Sequence, residues 1–179
     1  MHILSNPRTP RYFFDAEFHE DGATIELISI GIVSSDKRRF YAVNQQAQLD
    51  RVSGEQRKNV LPYLPRYGDD AWMTRDAIAD SVRVFVAHNT NPIQFWGYGC
   101  SYDWVALCQL YGTTMALPSH FPKHCMDLKQ AAELLGDVAE PPKNEDVHIS
   151  LGEALWNAAF FDVIAKEFAR RDAATATPR

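Results

Sequence analysis

Two carboxylates separated by one residue, Asp15 and Glu17, lie in the segment Arg11-Tyr-Phe-Phe-Asp-Ala-Glu-Phe18. Four aromatics in eight residues suit a buried strand. The two-residue period of a strand points both acids to one face and Tyr12, Phe14, Ala16 and Phe18 to the other. Adjacent buried acids repel each other and lose hydration unless a cation neutralises them. Hard divalent ions such as Mg2+ or Mn2+ prefer such oxygen ligands. An edge strand with both acids in water is the plain alternative.

Three more residues have suitable chemistry. Asp103 follows a strand and opens a helix, where the active-site loops of α/β sheets converge, although N-capping is the commoner use of such an aspartate. His148 approaches the last helix and Glu153 lies in its first turns. An imidazole there can take a proton near neutral pH, and the acid can reach a metal. Ser150-Leu-Gly-Glu153 also reads as a capping box, and Asp127 reads as an N-cap alone. His19 adjoins the acidic strand, whereas His2 lies in the terminus expected to be disordered and His88, His120 and His124 lack acids at ligand spacing. No Gly-rich phosphate loop, HExxH or GxSxG motif occurs, which leaves nucleoside-triphosphate, zincin and serine-hydrolase chemistry without support.

Such residues act together only if the fold gathers them. Residues 11–18, 25–34 and 39–44 read as three strands joined by short turns, an antiparallel meander. Ser53-Gly-Glu-Gln56 has the form of a capping box for a helix ending before Pro62, and Thr74 caps a second helix with Ile78, Val82 and Phe85 on one face. Residues 93–98 form a fourth strand. A helix striped by Trp104, Leu107, Cys108 and Tyr111 then stops at Gly112. A short strand near His124, a helix over 127–135 and a last helix over 150–170 complete the order. This predicts an α/β layer structure: a mixed sheet, antiparallel over its first three strands and then parallel, flanked by helices.

The 179 residues, 46% hydrophobic and 23% charged, suit one domain over 11–171 with disordered ends at 1–10 and 172–179. The formal charge of −5 by itself argues against a nucleic-acid partner, because phosphate binding draws on basic side chains. Three cysteines without a CxxC pair suggest a reducing, cytoplasmic setting. The start carries no hydrophobic leader, and no apolar run reaches the roughly 18 residues of a membrane span.

The ordered series Asp15-x-Glu17, Asp103, and His148 with four residues between it and Glu153 resembles the DEDDh family of 3′-to-5′ exonucleases, which have a ribonuclease-H-like fold. Within it, the segments YFFDAEFHEDGATIELISIG and YDWVALCQL and the His148 to Asn157 stretch are most similar to the polyadenylate-specific exoribonuclease (ribonuclease AS) group, over roughly residues 11 to 165. The resemblance implies that Asp15, Glu17, Asp103 and Glu153 bind two Mg2+ or Mn2+ ions and that His148 is the general base. It implies hydrolysis of single-stranded RNA from its 3′ end to nucleoside 5′-monophosphates. Ala16, Phe18 and His19 fall at the substrate, and the family implies a homodimer. The family's fourth acid is usually Asp, and this chain has Glu153. Two bound divalent ions would offset four of the five net negative charges, which weakens the charge objection. A DNA-directed exonuclease of the same superfamily and a non-catalytic RNA-binding protein on this fold are the alternatives.

Overall fold

The computed structural model describes residues 9–86, 92–136, 141–144 and 148–176. Arg11–Glu20 (β1), Ile25–Ser34 (β2) and Arg39–Asn44 (β3) form the expected antiparallel meander. The β1–β2 turn is fixed by Asp21, whose Oδ1 accepts the Ala23 and Thr24 amides at 2.9 and 2.8 Å, and by Gly22 at φ 83°. The Ser53 capping box is present at α1 (Gly54–Asn59): the Ser53 side chain accepts the Gln56 amide while the Gln56 side chain accepts the Ser53 amide. Thr74 likewise accepts the Ala77 amide at the start of α2 (Arg75–Val86).

The remaining elements are β4 (Trp72–Met73), β5 (Gln94–Gly97), α3 (Ser101–Gln109), β6 (Met126–Asp127), α4 (Leu128–Leu135) and α5 (Ser150–Ala176). The six strands lie in the order β4-β3-β2-β1-β5-β6, with β4 parallel to β3 and both β5 and β6 in parallel pairings. The short strand expected near His124 is β6. Strand β4 and a 3-10 turn at Leu61–Tyr63 are additions, each too short to show any periodicity.

β1 is therefore central and buried on both faces. On one, Tyr12, Phe14 and Ala16 join Ile78 and Val82 of α2 and Trp104 and Leu107 of α3. On the other, Phe13 meets Leu128 of α4 and Phe161 and Ile164 of α5, with the Phe13 and Phe161 rings 5.2 Å apart. Helix α5 runs on to Ala176, beyond the stop expected at Arg170 and into the segment expected to be a disordered tail. Ala173 and Ala174 favour helix, and the Thr175 hydroxyl donates back to the Arg171 and Asp172 carbonyls. Of the N-terminal residues 1–10 expected to be disordered, 1–8 lie outside the described residues, as do 177–179, His2 and His88, whereas the Pro10 carbonyl accepts the Gln94 amide at 3.0 Å. No helix among the described residues is long and apolar enough to cross a membrane.

The pairing of β1 with β5 covers only Arg11 to Phe13, so the β1 backbone lacks a neighbouring strand on that side from Phe14 onward. Side chains take over: the Phe14 carbonyl accepts Asn157 Nδ2 and the Ala16 amide donates to Asp103 Oδ1, each at 2.9 Å. Opposite Asp15 stands Gly31 of β2, where a Cβ would come within 2.4 Å of the Leu151 and Ser150 backbone. The first turn of α5 thus rests directly on β2, pinned by the buried Ser29–Ser150 hydroxyl contact at 3.1 Å. Gly31→Ala is expected to lower stability by about 1–3 kcal/mol in chemical denaturation, because backbone on both sides of the clash must move. Wild-type stability in this variant would show that α5 can lift away freely.

Candidate active site

Phe13, Asp15 and Glu17 alternate on the α5 face of β1, so the strand that buries Phe13 against Phe161 carries the two acids toward the start of that helix. Glu153, in the first turn of α5, meets them there. Its charge adds to the rise of the Asp15 carboxyl, and ligand atoms of Glu17, His148 and Glu153 lie within 4.8 Å of one another. His148 has φ 67°, a backbone state that a residue with a Cβ seldom adopts. It is held there by its amide, which donates to Glu153 Oε1 at 2.7 Å. Glu153 thus serves both as an acid of the cluster and as the anchor of the histidine.

Asp103 arrives from the opposite side. Helix α3 is fastened by Trp104, which packs edge-on against Phe14 and tilted against Phe95. Its N-cap is Cys100, so Asp103 sits inside the helix and its carboxylate is free to turn to the Ala16 amide. The capping reading of Asp103 therefore fails. Asp127 does cap α4, accepting the Lys129 and Gln130 amides, but it also accepts the Gly99 and Cys100 amides at 3.1 and 3.2 Å. One carboxylate thus ties the loop that delivers α3 to the start of α4.

The site's electrostatics come from this crowding. Burial raises Asp15 well above the usual carboxylate range, with the charges of Asp103, Glu153 and Glu17 adding to the effect. Burial, then Glu153 and Asp103, push Glu17 to about 7. Burial pushes Asp103 to about 6 against the opposing Ala16 hydrogen bond, with Glu153 and Asp127 also raising it. Four carboxylates and an imidazole converging from three elements form a hard, oxygen-rich donor set that suits Mg2+ or Mn2+.

Of the residues expected at substrate, Ala16 lies between the acids with its amide already engaged, and Phe18 is half-buried against the core. The Phe18 ring stacks on Tyr102, centroids 5.9 Å apart and planes 15° apart, and Tyr102 is 53% exposed beside Asp103. His19 lines a separate cleft with Arg51 and Arg75. Asn157, Tyr102 and the second role of Asp127 go beyond the sequence-based expectations. Asn157 has a visible signal: it lies between Ala154 and Phe161 on the buried stripe of α5, where an amide needs a partner.

Residues 10–165 match the family described as 3′-5′ exoribonuclease Rv2179c-like domain. The chain belongs to the Rv2179c-like exoribonuclease family. It is 42% identical over 145 residues to 3′-5′ exoribonuclease Rv2179c of Mycobacterium tuberculosis H37Rv, covering 80% of this chain and 86% of the relative. The same values hold for 3′-5′ exoribonuclease MT2234.1 of strain CDC 1551. The fold resembles S. pombe Pop2p in its Mg2+ and Mn2+ bound form, with TM-score 0.53 and 14% identity over 90% of this chain and 85% of that one. It also resembles the 3′-exonuclease in a structure of 3′-end specific recognition of histone mRNA stem-loop, with TM-score 0.52 and 12% identity over 91% of this chain and 66% of that one. The ribonuclease-H-like mixed sheet flanked by helices is thus the fold of this Rv2179c-like chain.

The raised acids make a pH prediction for the metal-free protein. Glu17 and Asp103 are raised from ordinary values of 4.5 and 3.8, so their contribution to stability is complete below about pH 4. It is lost as pH rises through about 6 for Asp103 and about 7 for Glu17. In chelator, the melting temperature should fall between pH 5 and pH 8. Mg2+ or Mn2+ should raise it more at pH 8 than at pH 5, as thermal melts with and without metal will show.

Proposed function

We propose that this Rv2179c-like chain hydrolyses single-stranded RNA from its 3′ end, releasing nucleoside 5′-monophosphates, with Asp15, Glu17, Asp103 and Glu153 holding two Mg2+ or Mn2+ ions. The observation that carries this reading is the convergence of four mutually repelling carboxylates, two of them gathered with one imidazole, an arrangement whose cost a bound cation offsets. When bound, the ions stabilise negative charge on the scissile phosphodiester and acidify water beside it.

The remaining roles fall to side chains. His148 takes the proton of the attacking water at an imidazole nitrogen, and the neighbouring Glu17 and Glu153 carboxylates stabilise the imidazolium that results. The Glu153 hydrogen bond fixes His148 in its left-handed backbone state, which limits where the ring can point. Asp103 fixes the acidic strand through the Ala16 amide. The Phe18–Tyr102 stack offers an aromatic face for the terminal base, a contact worth about 1–3 kcal/mol in single strands. Of the finer parts of this reading, the homodimer rests on the sequence resemblance and cytoplasmic residence on the three cysteines without a CxxC pair.

Product analysis tests the whole. Purified protein with Mg2+ or Mn2+ should shorten poly(A) and mixed RNA progressively to 5′-monophosphates and act poorly on matched DNA. His148→Ala and Asp15→Asn should each lower kcat by at least a hundredfold while circular dichroism stays native. Undiminished turnover in either variant would remove the assigned role.

Glu153→Asp separates that residue's two duties. It keeps the charge but withdraws the carboxylate by about 1.5 Å, out of reach of the His148 amide. We expect kcat at saturating metal to fall several-fold, with a larger loss than any change in the metal concentration giving half-maximal rate. Unchanged kcat would show that the His148 anchor is dispensable.

A further inference from the structure

A cleft of about 400 Å³ that the proposed chemistry does not use is lined by His19, at the far end of the strand that carries Asp15 and Glu17. Its walls come from the β1–β2 hairpin end, the loop after β3, the start of α2 and the end of α3. His19, Gln48, Arg51, Arg75 and Gln109 bring the donors. The volume lies within the roughly 300–1,000 Å³ of small-molecule sites and accommodates a nucleotide unit. His19 is two residues past Glu17 on the same strand, roughly 7 Å further along it.

The charges in this cleft are unevenly committed. Asp21 spends its carboxylate on the turn amides and hydroxyl at positions 23 and 24, which hold it below the usual carboxylate range. Glu26 accepts the Gln48 amide at 3.0 Å. The two arginines, in contrast, form no ion pair among the described residues. Arg75 reaches only the Gln109 carbonyl at 3.0 Å, and the described residues offer Arg51 no side-chain partner. Arg75 moreover stands at the start of α2, where the helix dipole disfavours a cation. The His19 Nδ1 is buried without a hydrogen-bond partner, a polar atom that the fold itself does not satisfy.

We propose that this cleft is a phosphodiester-backbone subsite, in which Arg51 and Arg75 hold phosphates of the RNA strand on the 5′ side of the nucleotide being released. The inference rests on the exoribonuclease reading and adds where the strand runs. With a net charge of −5, phosphate contacts must come from a few placed cations. Guanidinium groups suit them, since each presents a planar fork of donors matched to phosphate oxygens. The strand would leave the acids past the Phe18–Tyr102 stack and enter the cleft beside His19.

The test is fluorescence anisotropy of a 5′-labelled single-stranded RNA on the full chain with Mg2+, using His148→Ala as background to prevent cleavage. Arg51→Gln and Arg75→Gln should each weaken binding severalfold at low salt. Each should also make the plot of log Kd against log salt shallower by about 0.7. Arg51→Lys and Arg75→Lys should restore the slope, since charge governs it, and a melt of each variant checks folding. AMP, titrated separately, should bind the parent and the glutamine variants equally.

If the double glutamine variant keeps parental affinity and slope while the wild-type chain shortens RNA, the subsite is wrong and the exoribonuclease reading stands. If the glutamine substitutions weaken AMP binding as much as strand binding, the cleft is a free-nucleotide site and the proposal falls. A wild-type chain that neither binds nor shortens RNA overturns both.

Discussion

Mutual repulsion among Asp15, Glu17, Asp103 and Glu153 is the constraint around which this protein is built. Left to itself, such a group would spread into water. Here it is held together by packing that has nothing to do with charge. Phe13 and Phe161 lock β1 to α5, and Trp104 locks α3 to Phe14 and Phe95, so each acid is delivered by an element with no freedom to retreat. Burial in that packing, with the charges of the other acids adding to it, raises Glu17 and Asp103 above the usual carboxylate range. The hydrophobic layers on both faces of β1 are thus the mechanical support of a polar site.

The place where β1 loses its neighbour gives that support its shape. Beyond Phe13 no strand continues on the β5 side, and the backbone groups facing that way would be left unpaired. Asn157 from α5 and Asp103 from α3 satisfy them from opposite faces of the sheet. The gap is therefore also the point at which both helices are registered against the acidic strand. A longer β5 would complete the sheet and bar Asp103 from its position. Gly31 serves the same end from the other neighbour, since only a bare Cα lets the first turn of α5 come down far enough to bring in Glu153.

Much of this is legible in the sequence because local chemistry and global fold agree. The meander, the Ser53 and Thr74 caps and the stop signal at Gly112 are written in residue types. Asp15 and Glu17 can be paired from strand period alone. The gathering of Asp103 and Glu153 with them cannot, since 86 and 136 residues separate those acids from Glu17, and only the ordered motif series hints at it. Asp103 is ambiguous in one dimension, where a capping aspartate and one turned onto a neighbouring strand look alike. Asp127 shows the converse, a true cap whose second function depends on a loop 27 or 28 residues earlier. The extension of α5 to Ala176 escapes periodicity because the Ala-Thr run lacks the apolar stripe by which the rest of that helix is recognised.

The order in which the site residues occur along the chain has a consequence for synthesis. His148 and Glu153 come with the last helix, and α5 also covers Phe13, Val33 and Trp96. A nascent chain still short of that helix has two of its four acids on β1 and a third on α3, but neither the histidine nor the acid that anchors it. Its sheet is bare on one face as well. The proposed centre is therefore assembled only with this last helix, together with closure of the core, so on that reading an unfinished polypeptide emerging along a message would hold no complete nuclease centre with which to attack it.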